Sequence, residues 1–195
     1  MLLTFGEYDP PYGHGQVEFD NVRVPSENVV LGVGQGFLIA QGRLGRGRIH
    51  QSMRAIGAAE RALELTFLRA DRREPFGKPL IKLGGPRANR ECTYGNRSSP
   101  LLTLYAAWKI DRYGVKEAMT EISAIKVVAP NVLQSVVDQA IQIHGGAGMS
   151  HNVPLTNQFM MARALRLADG PDEVHPAMVA RRELVKYKAR EVEFA

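Results

Sequence analysis

The sequence predicts a mainly α-helical chain preceded by a short β segment. Three observations predict it. Apolar residues recur at three and four along extended runs, strand-like alternation is confined to the residues before Phe37, and Gly/Pro clusters separate the helical runs. With 195 residues and 45% apolar side chains, the chain has room for one ordinary domain with a real core.

The β segment rests on "GQVEFDNVRVP", where Val17, Phe19 and Val22 alternate with polar partners and Asn21 marks a turn or bulge. "PSENVVLGVGQGF" continues it as a short strand and a glycine-rich loop. The domain division follows: residues 1–35 read as the end of a β structure and 36–195 as a helical unit. The first helix is expected from Gly36 to Arg72, with Ile49, Met53, Ile56, Leu63 and Phe67 on one face, closed by Pro75. A third helix, Lys116 to Ile143, has the cleanest period, with Ala118, Ile122, Ile125, Ala129, Val132, Val136, Ala140 and Ile143 at three and four. Pro130 inside it predicts a kink. "HGGAG" then breaks the chain, and shorter helices follow at Leu155 to Leu167 and Asp172 to Tyr187, with Asp172 as N-cap and Glu173 in the first turn.

The second helix is the anomaly. "LLTLYAAWKIDR" is helical, but "IKLGGPRANRECTYGNRSSP" before it, Ile81 to Pro100, has no period and many breakers. Taken as it stands, Ser99 caps a helix that begins at Pro100, much shorter than its neighbours.

Composition narrows the function. The net charge of +5 and pI near 9.5 suit an anionic partner such as a phosphate-bearing cofactor. The arginines are dispersed and not interleaved with aromatics, so the pattern does not point to nucleic acid. No apolar run is long enough for a membrane span, and the N-terminus lacks a secretory signal pattern. The single cysteine, Cys92, fits a reducing compartment. His144 and His175 lack partners at metal-ligand spacing, so no metal site is expected. The expected location is the cytoplasm in a bacterium, or the mitochondrion or peroxisome in a eukaryote.

Four segments, "FDNVRVPSENVVLGVGQGF", "RREPFGKPL", "AIKVVAPNVLQSVVDQAIQIHGGAG" and "LRLADGPDEVH", together resemble the C-terminal half of the acyl-CoA dehydrogenase family. "ADGPDEVH" is most similar to the subgroup that in animals is often fused to a phosphotransferase-like domain. The resemblance implies an up-and-down four-helix bundle after the tail of a middle β domain, and an FAD-dependent enzyme that introduces a double bond into an acyl-CoA. It implies a homodimer or homotetramer, with electron-transfer flavoprotein or oxygen as acceptor. The other reading is a truncated helical fragment that only self-associates. Over Ile81 to Pro100 the family has a regular helix. Permitted codons for Asn89 to Pro100, read one base later, translate as IANARMEIEVAR, which restores that helix and implies a pair of compensating frame shifts.

The family's base is a glutamate followed by glycine in the loop before the last helix, and alignment puts Asp169 there, followed by Gly170 on the substrate side. A carboxylate abstracts an acidified α-proton when it is held close and partly desolvated. The family's other base position corresponds to Gly47, which cannot serve. Without the resemblance, Asp169 and Asp172 read as turn and cap residues. The resemblance implies that Arg73, Phe76, Gln142, Gly145, Gly146, Pro171 and Glu173 contact FAD. Arg73 would pair with the pyrophosphate, Phe76 would pack on the adenine side or in the core, and the glycine turn would approach a neighbouring subunit's cofactor. From spacing alone, Gly145, Gly146 and Gly148 are helix C-cap glycines of positive φ. Arg48 is implied on the substrate side, amid a basic stretch with Arg43, Arg46 and Arg54, and His50 stands near the same end.

Overall fold

The computed structural model describes residues 13–84 and 89–188, with side chains omitted over 89–94. Five α-helices follow in order: α1 Gly36–Arg72, α2 Asn89–Tyr113, α3 Met119–His144, α4 Leu155–Leu165 and α5 Val174–Lys188. Short 3-10 turns occupy Ser26–Asn28, Pro75–Gly77, Leu80–Leu83 and Gly145–Met149. The chain divides into two compact units at Arg43 and Leu44.

In the first unit, the expected β segment is extended but forms no strand among the described residues. A strand needs a neighbour to take its N–H and C=O groups along several residues, and among the described residues of this segment only an isolated bridge at His14 occurs. Its alternating side chains are correspondingly bare, with Val17, Phe19 and Val22 all exposed. The turn at Asn21 is present, at φ 47°.

The second unit is built around α3, which packs against α2, α4 and α5. Its buried stripe includes Ile122, Ile125, Ala129, Val136 and Ala140, as the period predicted, and adds Leu133, Val137 and Lys126. The helix runs through Pro130, whose missing N–H leaves the Lys126 carbonyl without its backbone partner. One turn along, Asn131 Nδ2 donates to the Val127 carbonyl at 2.7 Å.

On α1 the predicted face shifts. Ile56 and Leu63 are buried, but Met53 and Phe67 are about two-fifths exposed, at 42% and 41%. The stripe that faces the core runs instead through Ser52, Ala55, Ala59, Ala62 and Thr66. Small side chains let α1 approach α3 and α4 closely, and the core cluster joins these alanines to Leu133, Val136, Val137, Leu155 and Ala162.

The second helix differs most from expectation. It begins at Asn89, not Pro100, and Pro100 lies inside it. Ser99 does not cap it; its Oγ donates to the Gly95 carbonyl at 2.8 Å, one turn back. Packing against α3 overrides poor local propensity here. The cost shows in what is buried: Asn96, Ser99 and Thr103 are each at most 3% exposed, and Asn96 Oδ1 has no partner. In the shifted reading, the two of these positions that fall within Asn89 to Pro100 change as Asn96→Ile and Ser99→Ala, both apolar, and Pro100 becomes arginine. The burial pattern thus favours the reading that the printed residues do not carry. Cys92 lies among the residues whose side chains are not described.

Candidate functional site

Helix α4 ends at Leu165, and the six residues from Arg166 to Pro171 turn the chain toward α5. Asp169 sits in this turn at φ 57° and Gly170 at φ 104°. The left-handed region costs a non-glycine residue about 1–2 kcal/mol, so Asp169 stays there because its surroundings hold it. At Gly170, a Cβ would stand 3.0 Å from His175 Nε2, so a side chain there requires the imidazole to shift, and the φ itself favours glycine.

Four side chains from two helices converge on this turn. From α1, Arg48 donates to the Asp169 carbonyl through Nη2 at 2.8 Å and Nε at 3.2 Å. One turn on, Gln51 Nε2 donates to Asp169 Oδ2 at 2.9 Å. From α3, Lys126 Nζ donates to the carbonyls of Leu165 at 2.5 Å and Gly170 at 3.2 Å. Asn131, also on α3, reaches Asp172 Oδ2 at 3.1 Å. Arg166 completes the set, with Nε on the same Asp172 oxygen at 2.6 Å. Asp172 therefore turns its carboxylate to Arg166 and Asn131. The expected N-cap of α5 is not made, because the guanidinium is a stronger partner than the helix amides.

The environment of the turn is cationic and largely dry. Arg48 and Lys126 are 5% and 1% exposed. Burial lowers the pKa of both, with the Asp169 charge opposing the shift at Arg48. At Lys126, Asp172 and Asp169 oppose it and Arg48 adds to it. His175, 3% exposed, is likewise lowered, first by burial and then by Arg48 and Lys126. Its Nε2 has no hydrogen-bond partner. Asp169 and Gly170 are half-buried, whereas Pro171 and Glu173 are exposed. Beside Gln51 lies an apolar pocket of about 190 Å³ lined by Ala55, Ala58, Leu133, Met161 and Leu165.

The expected cofactor residues assemble elsewhere. Arg73, Gln142, Gly145 and Gly146 share one cleft of about 380 Å³ with Arg69, Leu80 and His144. Gly145 closes α3 at φ 63° and its N–H bonds back to the carbonyls of Gln142 and Ile141. Of the three glycines, Gly145 alone has the positive φ expected for all of them. Gly148 is small for another reason: a Cβ there would lie 2.8 Å from the Ile141 carbonyl oxygen. Phe76 is 95% exposed, so it is not a core residue of this chain.

Two guanidinium groups, a side-chain amide and a turn without a Cβ suit a diphosphate chemically. Among the described residues the buried Nε of Arg69 has no hydrogen-bond partner, which leaves a donor for a bound group or water to satisfy. Sequence reading missed Arg69; its spacing of four from Arg73, one helical turn, was the available signal. It also missed Gln51 and Lys126, the latter hidden because a lysine at a core position of a clean helical period reads as an interruption.

The two clusters are far apart. Arg48 and Arg69 are 21 residues apart on α1, about 30 Å at 1.5 Å per residue. Among the described residues no group of histidine, cysteine and carboxylates could hold a metal ion, and no helix is long and apolar enough to cross a membrane.

Comparison with known proteins shows the family. The acyl-CoA dehydrogenase C-terminal domain family matches residues 34–184. Acyl-CoA dehydrogenase family member 10 of Mus musculus is 51% identical over 184 residues, which cover 94% of this chain and 17% of that protein. A solved acyl-CoA dehydrogenase-like protein from Mycobacterium abscessus is 54% identical, with a TM-score of 0.90 over 96% of this chain and 46% of its own. Butyryl-CoA dehydrogenase from Megasphaera elsdenii is 30% identical, with a TM-score of 0.77 over 85% of this chain and 43% of its own. The chain spans less than half the length of each of these proteins.

Proposed function

The chain belongs to the acyl-CoA dehydrogenase family, and from that premise we propose that it serves FAD-dependent α,β-dehydrogenation of an acyl-CoA thioester, with Asp169 as the base. The observation that carries the proposal is the held turn: a half-buried carboxylate in a left-handed conformation, its backbone anchored by Arg48 and one oxygen by Gln51. Gln51 occupies Oδ2, which leaves Oδ1 to take the proton from the thioester α-carbon. FAD, when bound, supplies the acceptor for the hydride that leaves the β-carbon. Arg48 and Lys126 bond the carbonyls of Asp169 and Gly170, so the backbone that carries the carboxylate is held from two helices. Gly170 brings the chain close to the substrate because no side chain stands there.

The Arg69 and Arg73 cleft is the proposed grip on the cofactor diphosphate, with Phe76 exposed beside it for the adenine side. The distance of about 30 Å along α1 from Arg48 supports the reading that the cofactor gripped here is that of a second copy, in a homodimer or homotetramer. Electron-transfer flavoprotein or oxygen is the proposed final acceptor. The second reading, a chain that only self-associates, is favoured by the exposed apolar side chains Phe19, Val33 and Phe37.

Asp169→Asn tests the assignment. It keeps the side-chain shape and any flavin colour, and it should abolish flavin bleaching by acyl-CoA. Bleaching that survives the change moves the base elsewhere. Failure of the unaltered chain to take up flavin, with intact circular dichroism, supports the second reading.

A further inference from the structure

Lys126 is a fully buried cation, and among the described residues no carboxylate forms an ion pair with it. The nearest acids are otherwise engaged, Asp169 by Gln51 and Asp172 by Arg166 and Asn131. Its ammonium is instead spent on two carbonyls, those of Leu165 and Gly170, which bracket the turn. Arg48 takes the carbonyl between them in sequence, that of Asp169. Two adjacent peptide carbonyls are therefore held by two buried cations that arrive from different helices. Burying a lysine costs several kcal/mol, and a neutral donor or water would satisfy a helix-end carbonyl at far lower cost. The fold alone gives no reason for a charge at this position.

We propose that Lys126 is a positioning residue for the Asp169 turn: with Arg48 it clamps consecutive carbonyls and holds Asp169 in its left-handed conformation, with the carboxylate presented toward substrate. The proposal rests on Asp169 as base. The clamp fixes the start of the turn at Leu165 and its end at Gly170, so the residues between cannot relax to an extended conformation. A rigid turn presents the carboxylate in one place, which is what proton abstraction at a single carbon requires.

The first test uses the full chain unaltered. Through-hydrogen-bond couplings between Lys126 Nζ and the carbonyl carbons of Leu165 and Gly170 are expected in its nuclear magnetic resonance spectra, and detection of neither overturns the clamp. The second test is Lys126→Met, read by amide hydrogen exchange. Exchange over residues 167–172 should accelerate about tenfold or more, because charge-assisted bonds are lost, while α1 and α3 stay within about twofold. Uniform acceleration along the chain, or an unchanged turn, overturns the proposal. Lys126→Arg, which keeps a cation and its donors, should restore most of the turn's protection, and a failure of rescue counts against the clamp. Asp169→Asn keeps both carbonyls and should leave turn exchange unchanged. If Asp169→Asn spares flavin bleaching while Lys126→Met still loosens the turn selectively, the base assignment fails and the clamp stands.

Discussion

Three substitutions in α2, Asn96→Ile, Ser99→Ala and Pro100→Arg, should stabilise the chain, although each alters a residue at or beside a buried position. Pro100 inside a helix lacks an N–H for the Asn96 carbonyl and crowds the preceding turn, worth about 3 kcal/mol against an ordinary residue. Asn96 is 3% exposed with Oδ1 unpartnered, a cost of about 1–3 kcal/mol that isoleucine removes. Against this stands the bond from Asn96 Nδ2 to the Glu60 carboxylate at 2.5 Å, worth about 1.5–3 kcal/mol, although Glu60 is exposed enough for water to replace part of it. Ser99→Ala exchanges a local bond to the Gly95 carbonyl for an apolar contact and is close to neutral. The sum is a gain of about 1–4.5 kcal/mol, or a rise in melting temperature of about 2–18 °C for a chain of this size. Thermal unfolding followed by far-UV circular dichroism measures it. An unchanged or lower midpoint refutes the argument, and with it the claim that these buried positions favour the shifted reading. The coding DNA over Asn89 to Pro100 provides an independent check, since codons incompatible with that reading exclude it.

At Gly170, alanine combines an unfavourable φ of 104° with a contact 3.0 Å from His175 Nε2, so Gly170→Ala should cost about 2–4 kcal/mol in denaturant unfolding. Gly57→Ala, in mid-α1 with no atom within 4 Å of the added methyl, should gain up to about 1 kcal/mol and serves as its control. Burial, Arg48 and Lys126 lower His175 below its ordinary 6.5, so the unfolded chain binds a proton there that the folded chain refuses. Stability should therefore be level above that value and fall as pH drops through it, and His175→Gln should flatten the slope that begins there. Arg69→Ala and Arg73→Ala should each weaken ADP binding by about tenfold in isothermal titration calorimetry and reduce its salt dependence, whereas Arg61→Ala, on the exposed face of α1, should not.

Helix positions were legible where the period was strong. α1 was expected from Gly36 to Arg72 and has those ends, and α3 and α4 differ from expectation by only a few residues. The face of α1 was not, because the periodic sum favours large side chains, and the core selected the alanine stripe for close approach. α2 was misread over its first half because glycine, serine and proline lower local propensity, while α3 alongside supplies the packing that propensity omits. The β segment carried an alternation that forms no strand among the described residues, and its apolar side chains stay exposed.

The same division holds at the turn quoted as "LADGPDEVH". Its chemistry could be read from one dimension: an acid followed by glycine, with further acids before a helix. Motif order was enough to indicate the family, since residue types and their local spacing survive in a linear string. That Arg48, Gln51 and Lys126 reach this turn from 121, 118 and 44 residues away could not be read so. Those contacts exist because α1 and α3 pack side by side and bring one turn of each to the end of α4. The stance of Asp169 belongs to that packing. A left-handed aspartate is unfavourable alone, and it persists because buried cations from other helices hold its own carbonyl and that of Gly170.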